Sequence, residues 1–321
     1  HYPLRRQRQM CIRDSSESSL SLNEKNIKIE PLLSSNNLNK TESMYSALEL
    51  GLSDYVTKNK FEKVLVGLSG GIDSALTATI ACDALSPENV IGVAMPSKYN
   101  PDSSLEDAKK LAKNLGIEIK EINIEDTVEN FRELLRNNTD EKLANVVDEN
   151  IQSRVRGNIL MALSNQLGAM VVSTGNKSEM AVGYATLYGD LVGGFALLKD
   201  VYKADVYNLA NYRNSISDVI PKSTILKEPS AELSNDQFDS DTLPDYDTLD
   251  KIIQLYIEED FSSEKIIKSG IDKEIVYDVL EKIDRNEYKR NQVAPGVKLT
   301  NRAFGKDRRM PITNTYKREK N

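Results

Sequence analysis

The stretch Val64-Leu65-Val66-Gly67-Leu68-Ser69-Gly70-Gly71-Ile72-Asp73-Ser74 constrains this chain more than any other. Its apolar, β-branched opening, Val64–Leu68, reads as a buried parallel strand. The run stops at Ser-Gly-Gly, and a helical pattern starts at about Asp73. Gly70 and Gly71 can take positive φ and let the backbone approach a ligand closely. The N–H groups of such a loop and of the first helical turn point at one spot, which makes an anion site. Ser69 and Ser74 add hydroxyl donors, and Asp73 stands where a carboxylate could hold Mg²⁺ on that anion. Strand, loop and helix agree, so the junction reads as a holder of a magnesium-bound phosphate group. Glycines present only for tight packing are the plainer alternative. No G-x-x-x-x-G-K-[ST] surrounds the loop, so it is not a Walker A motif.

A length of 321 residues allows one large domain or two ordinary ones, and 39% hydrophobic residues suffice for a sizeable core. The net charge of −7 argues against general nucleic-acid binding. No apolar run reaches the length of a membrane span. The two cysteines, Cys11 and Cys82, make neither a disulfide framework nor a metal cluster, and Cys82 reads as a small core residue. The cytoplasm is the expected compartment. The one histidine is His1, so histidine-based acid–base or nucleophilic mechanisms are not expected. The chemistry must run on carboxylates, lysines, arginines, hydroxyls and metal.

Residues 1–40 are expected to be disordered or non-native. His1 to Asp14 is basic and patternless without an initial Met, and Ser15 to Lys40 is rich in Ser and Asn. Order is expected from Thr41, where Tyr45, Leu48, Leu52, Tyr55 and Val56 share one helical face. After Val64–Leu68 come a helix over about Asp73–Leu85, a strand at Val90–Met95 and a helix over Ser104–Leu115. Ser103 and Glu106 supply a capping box for that helix, and Gly116 ends it. Ile117–Ile122 reads as a third strand, Glu125–Arg136 and Glu141–Gln166 as helical, and Ala169–Ser173 as a further buried strand. This alternation implies an α/β fold, a doubly wound parallel sheet flanked by helices, with ligands at the carboxyl ends of the strands. Beyond about Pro221 the chain turns polar, then helical over Tyr246–Glu258, Ser263–Ser269 and Lys273–Asp284. This makes a helical and irregular C-terminal extension. From Arg285 it is basic, with eleven Lys and Arg against three acidic residues. A solvated tail and a basic segment folded over an anionic ligand or partner are equally open readings.

A second constellation follows Ala169–Val172: Ser173-Thr174-Gly175-Asn176-Lys177-Ser178-Glu179, then Tyr188-Gly189-Asp190, Gly193-Gly194 and Lys199-Asp200-Val201-Tyr202-Lys203. It would open on the same sheet edge as the first loop. Its glycines, carboxylates and lysines suit a ligand-lining segment. Taken alone, it reads as a glycine-rich surface loop.

The Ser-Gly-Gly-x-Asp-Ser loop resembles the pyrophosphate loop of the ATP pyrophosphatase superfamily, whose members split ATP into AMP and pyrophosphate (the adenine nucleotide alpha hydrolase-like fold). With the second constellation, the chain from about Ser43 to Tyr316 resembles the NAD⁺ synthetase family. The pieces that carry the likeness include Glu149-Asn150-Ile151-Gln152-Ser153-Arg154-Val155-Arg156-Gly157, Ser173–Glu179, Tyr188–Asp190 and Glu228-Pro229-Ser230-Ala231-Glu232-Leu233. Arg302-Ala303-Phe304-Gly305-Lys306-Asp307-Arg308-Arg309-Met310-Pro311-Ile312 looks like the C-terminus of the long, glutamine-dependent form.

The resemblance implies a C–N bond-forming ligase of NAD⁺ biosynthesis. ATP adenylates the carboxylate of deamido-NAD⁺ and releases pyrophosphate; ammonia attacks the acyl-adenylate and releases AMP. The activated ester needs no protein nucleophile, so the tasks are positioning and neutralising phosphate charge. By resemblance, Ser69, Gly70, Gly71, Asp73 and Ser74 hold the ATP phosphates, with Thr174, Ser230 and Lys203 also on ATP. Asp73 and Glu179 are the Mg²⁺ ligands, and these two with Lys203 form the catalytic set. Asn150, Arg154, Tyr188, Asp190 and Lys289 line the deamido-NAD⁺ site. Short-form enzymes have a His-Lys pair where this chain has Tyr288-Lys289, which bears on Tyr288 more than on Lys289. Lys177 and Lys199 read equally as surface lysines or as direct contacts. The long form carries an N-terminal nitrilase-like glutaminase with a Glu-Lys-Cys triad. About 40 residues precede the synthetase region here, so the expectation is free ammonia, or glutamine-derived ammonia from a separate glutaminase. The family also implies a homodimer or higher homo-oligomer. The competing readings are another amidotransferase of the superfamily and a non-catalytic nucleotide-binding subunit; intact Asp73 and Glu179 speak against the second.

Overall fold

The computed structural model describes residues 18–23, 26–31, 38–139, 144–235 and 237–313. Within the stretch whose composition suggests disorder, Ser18–Asn23 (β1) and Asn26–Pro31 (β2) pair antiparallel, with Leu20 opposite Ile29 and Leu22 opposite Ile27. Cys11 and the rest of the first 17 residues lie outside the described residues.

Helix α1, Lys40–Lys58, buries Tyr45, Leu48, Leu52 and Val56 of the expected stripe together with Met44, while Tyr55 is partly buried against the same core. Strand β3, Val64–Gly67, runs into α2, Ile72–Leu85, whose Ala, Thr and Ile side chains are buried almost all round. Next come β4 (Val90–Ala94), α3 (Asp102–Leu115), β5 (Glu118–Glu121), α4 (Glu125–Arg136), α5 (Asn145–Leu167) and β6 (Met170–Ser173). These match the expected elements to within a few residues. Gly116 ends α3 in the left-handed region at φ 72°. The Ser103–Glu106 capping box is not formed. Pro101 stands at the cap and Asp102 opens the helix, so Ser103 lies inside it.

Between Lys177–Val182 (α6) and Lys203–Ile216 (α7) lies a two-residue strand, Phe195–Ala196 (β7). Sequence patterning gives this span as a ligand-lining loop. Two residues are too few for a period-2 signal, and α7 buries Lys203, Val206, Leu209 and Ala210 with no further apolar face to mark it. Lys222–Leu226 (α8), Tyr246–Ile253 (α9, continued by a π turn, Gln254–Glu258), Ser263–Lys268 (α10), Lys273–Arg285 (α11) and Glu287–Arg290 (α12) make the C-terminal extension.

The five-stranded sheet is parallel throughout, in the order β5-β4-β3-β6-β7. Side-chain alternation divides its two faces. Val64 and Val66 join the core with α1, α2, α3 and α7, whereas Leu65 joins Ile91, Val128, Ile151 and Val155 under α4 and α5. Each fully buried Val or Leu of these layers contributes roughly 1.5–3 kcal/mol. A third core unites α9, α10 and α11 with Ala181, Val182, Tyr202 and Phe304. Cys82 sits in the first core, and burial, followed by the charge of Asp83, pushes its thiol up to about 12. Among the described residues, no helix is long and apolar enough to cross a membrane.

The chain builds outward from β3 through β4 to β5, then returns to the other side of β3 with β6. The strand order therefore reverses between β3 and β6, and the loops leaving their carboxyl ends flank a crevice, the place where open α/β sheets bind ligands. Val64–Val66 pair in register with Met170–Val172, so both loops depart at the same level.

Candidate active site

The loop after β3 is held by its own hydroxyls. Ser69 N–H donates to Ser74 Oγ (3.3 Å), Gly71 N–H to Ser69 Oγ (3.2 Å), and Ser74 Oγ–H to the Gly71 carbonyl (2.9 Å). Gly70 has φ +83°, and a Cβ there would lie 2.3 Å from the backbone carbonyl oxygen of Ser104. Ser104 in turn donates to Glu232 Oε1 (2.7 Å), which Lys227 pairs at 2.5 Å, while Asn100 donates to Glu232 Oε2 (2.9 Å). Gly70 thus seats the loop on α3 and, through α3, on the 227–233 segment. Gly70→Ala meets both a left-handed backbone and an overlap with main chain. We expect ATP to bind about tenfold or more weakly by calorimetry, with the rest of the fold intact by circular dichroism.

Three elements bring charges together beside this loop. Asp73 lies in the first turn of α2. Glu179 lies in the first turn of α6, where Asn176 caps it: Glu179 N–H donates to Asn176 Oδ1 (3.0 Å) and Asn176 N–H to Glu179 Oε2 (3.3 Å). The same Asn176 donates Nδ2–H to Asp73 Oδ1 (2.8 Å). Lys203, the first residue of α7, donates to Asp73 Oδ2 at 2.5 Å and to Glu179 Oε1 at 3.4 Å. Burial acts to lower the Lys203 pKa, but Asp73 and Glu179 outweigh it and hold the ammonium charged. Burial, then the negative charge of Asp73, pushes Glu179 up to about 8 against the pull of Lys203. Asp73 and Glu179 thus share one ammonium at the mouth of an anion loop. This hard-oxygen pair fits Mg²⁺, which commonly takes one or two carboxylates and completes its shell with phosphate and water.

A cavity of about 510 Å³ joins the constellation to the neighbouring segments. Of the residues expected at a site, Ser69, Gly71, Asp73, Ser74, Thr174, Glu179, Lys203, Ser230, Asn150, Asp190 and Lys289 line it. Thr186 Oγ1–H donates to Asn150 Oδ1 (2.8 Å), and Asp190 Oδ1 accepts from Thr186 N–H (2.6 Å). Lys289 donates to the carbonyls of Gly183 and Ala185, both at 2.8 Å; burial lowers its pKa while Asp190 offsets this. Gly70, which abuts Ser104 of α3, does not line the cavity. Arg154 is exposed, with Nε–H on the Leu187 carbonyl (3.2 Å), and Tyr188 is 63% exposed at φ +63°, so neither lines the cavity. Lys177 is fully buried, and Lys199 donates to the Ala294 carbonyl (3.0 Å). Lys177 is therefore no surface lysine, Lys199 is half-buried, and neither is part of the cavity wall.

The description of the family model matching residues 44–293 is NAD synthase. The chain belongs to the NAD synthase family. It is 52% identical over 299 residues to the glutamine-dependent NAD(+) synthetase of Thermotoga maritima, covering 92% of this chain and 52% of that protein. With that of Aquifex aeolicus it shares 54% over 275 residues, covering 86% and 48%. The chain thus spans about half the length of these curated relatives. Among solved structures, the glutamine-dependent NAD⁺ synthetase of Acinetobacter baumannii with ADP superposes with a TM-score of 0.61 at 45% identity, covering 88% of this chain and 52% of that one. The NH3-dependent NAD synthetase of Campylobacter jejuni gives 0.62 at 29%, covering 78% and 94%. An NMN synthetase from Francisella tularensis gives 0.66 at 27%, covering 78% and 95%.

Several cavity residues of this NAD synthase domain were not among those expected from sequence, Arg156 and Asp239 among them. Arg156 is half-buried; it donates to the Met95 carbonyl (3.1 Å) and Asn100 Oδ1 (2.9 Å), and desolvation pushes its pKa down to about 10. It stands inside the Glu149–Gly157 motif, which is the signal that could have found it. Asp239, 5% exposed, accepts from Tyr246 Oη–H (2.7 Å) through Oδ2, and its Oδ1 has no hydrogen-bond partner among the described residues. It lies in a polar, acidic stretch where nothing in the spacing singles it out.

Proposed function

We propose that this domain amidates deamido-NAD⁺ to NAD⁺ through an acyl-adenylate, consuming ATP and releasing AMP and pyrophosphate. The observation that carries the reading is the Asp73–Lys203–Glu179 constellation, set beside the glycine loop at the strand-order reversal, in a chain of the NAD synthase family. A substrate carboxylate oxygen attacks the α-phosphorus of ATP and pyrophosphate leaves. Ammonia then attacks the acyl carbon, loses a proton, and expels AMP. The loop N–H groups with Ser69 and Ser74 bind phosphate oxygens, and Lys203 supplies positive charge toward the departing pyrophosphate. Thr174 and Ser230 border ATP; Asn150, Asp190 and Lys289 border the dinucleotide, with Arg154 and Tyr188 at its outer edge. Asp73 and Glu179 would hold Mg²⁺, which neutralises phosphate charge when bound. Ammonia is the nitrogen donor at this cavity, and glutamine is its source where a glutamine-hydrolysing part accompanies the domain. Assembly as a homodimer and a cytoplasmic location belong to the same reading and rest on the family alone.

An NMN synthetase shares the fold, so the fold does not select a dinucleotide over a mononucleotide. Identities of 52% and 54% to NAD(+) synthetases favour the dinucleotide. The test is incubation with ATP, Mg²⁺ and ammonium together with deamido-NAD⁺ or with the corresponding acid mononucleotide. We expect NAD⁺ and AMP in equal amounts from the dinucleotide. No AMP from it, or amidation of the mononucleotide alone, overturns the assignment. A parallel arm with glutamine in place of ammonium reports the nitrogen source.

A further inference from the structure

Lys177 has no part in the reaction above, yet it is fully buried and fully partnered. Its Nζ donates to Thr300 Oγ1 (2.6 Å), Glu258 Oε1 (3.0 Å) and the Arg302 carbonyl (3.0 Å), lies 3.0 Å from Asp200 Oδ1, and sits 4.6 Å from the centre of the Tyr202 ring. None of these groups lines the cavity. A buried ammonium is tolerated only when its protons are satisfied, so the groups around it are held in one arrangement.

That arrangement adjoins the helix starts that carry two site residues. Lys177 opens α6 two residues before Glu179, and its N–H donates to the Val201 carbonyl (2.8 Å). Asp200 precedes Lys203 by three residues, and Lys203 N–H donates to Ser178 Oγ (2.9 Å). Ser178 Oγ–H and Ala204 N–H both donate to Asp250, closing the two helix starts on each other. The remaining wall of the ammonium site comes from residues 294–308. Leu299 and Thr300 N–H groups each donate to Asp200 Oδ2 at 2.8 Å, Ala196 N–H donates to the Pro295 carbonyl (2.8 Å), and Arg302 and Arg308 both pair with Asp260. The family match ends at residue 293, just before this segment.

We propose that Ala294–Arg308 is a positioning strap: by closing over Lys177 and Asp200, it fixes the backbone that aims Glu179 and Lys203 at Asp73. Its kinetic readout rests on the reaction proposed above, whereas hydrogen exchange reads it independently. Thr300→Val keeps the volume and removes the hydroxyl that joins Lys177 to Asp200, and Thr300→Ser restores that hydroxyl. In Thr300→Val, amides 177–180 and 203–204 should exchange about tenfold faster while those of α1 and β3 stay unchanged. NAD⁺ formation should lose about tenfold in kcat with KM for ATP within about twofold. Thr300→Ser should recover both. Exchange unchanged at those amides with kcat near the parent value, or exchange raised uniformly across the fold, overturns the strap. Should Thr300→Val not fold, Asp260→Asn loosens the same segment from the surface. Asn tolerates the left-handed φ of 55° found there, and the same local rise in exchange is required. A parent protein that forms no NAD⁺ counts against the reaction, while the exchange comparison still decides the strap.

Discussion

Methionine in place of Lys203 should lower the rate of NAD⁺ formation by about 10³-fold, the scale of losing one preorganised charge at a transition state. The substitution keeps the aliphatic stem inside α7 but removes the cation that Asp73 and Glu179 share. Two effects then act together. The leaving pyrophosphate loses its nearest fixed ammonium, and Glu179, without the pull of Lys203, is raised further, so its oxygens suit a divalent cation less. Because both carboxylates border a cavity that water can enter, the cost in stability is smaller than for a dry pair, on the order of 1–2 kcal/mol. Steady-state kinetics beside a thermal melt separates the two. A variant that keeps a tenth or more of the parent turnover would remove Lys203 from the chemistry.

The largest effect on stability is expected at Lys177. Lys177→Met leaves Asp200 and Glu258 buried with their shared ammonium gone, which should destabilise the domain by about 3–5 kcal/mol. For a domain of this size the loss corresponds to a fall in Tm of roughly 10 °C. Asp200 keeps the N–H groups of Leu299 and Thr300, and Glu258 keeps the Tyr202 hydroxyl at 2.6 Å, so the carboxylates are not stripped bare. Urea titration measures the difference, and a loss below about 1 kcal/mol would mean that the buried network carries little net energy.

The parallel sheet was legible because its strands are short β-branched runs bounded by turn residues and separated by helix-length stretches. Asp73 and Glu179 were legible because each follows such a strand within a few residues, in a loop rich in small and polar side chains. Lys177 was not. Its sequence neighbours suggest a surface or a ligand contact, and three of the partners that bury it, Glu258, Thr300 and Arg302, lie 81 to 125 positions further along the chain. Lys203 was identified as a site residue but not as the start of a helix, since α7 carries too few apolar positions to show a stripe. The basic C-terminal segment illustrates the limit of charge counting. Arg290 pairs with Glu287, Arg302 and Arg308 with Asp260, and Lys298 with Asp307, while among the described residues of this segment Lys289 is the basic one that reaches the cavity wall. Composition gives the excess of positive charge, and only the tertiary fold says what each cation meets.

The central claim is that this cavity joins a substrate carboxylate to AMP before ammonia displaces it. Its most direct test is turnover of deamido-NAD⁺ labelled with ¹⁸O in both oxygens of the nicotinate carboxylate, followed by mass spectrometry of the AMP. Adenylation predicts one ¹⁸O atom in the AMP phosphate and one retained in the NAD⁺ amide. Unlabelled AMP formed alongside NAD⁺ would contradict the acyl-adenylate.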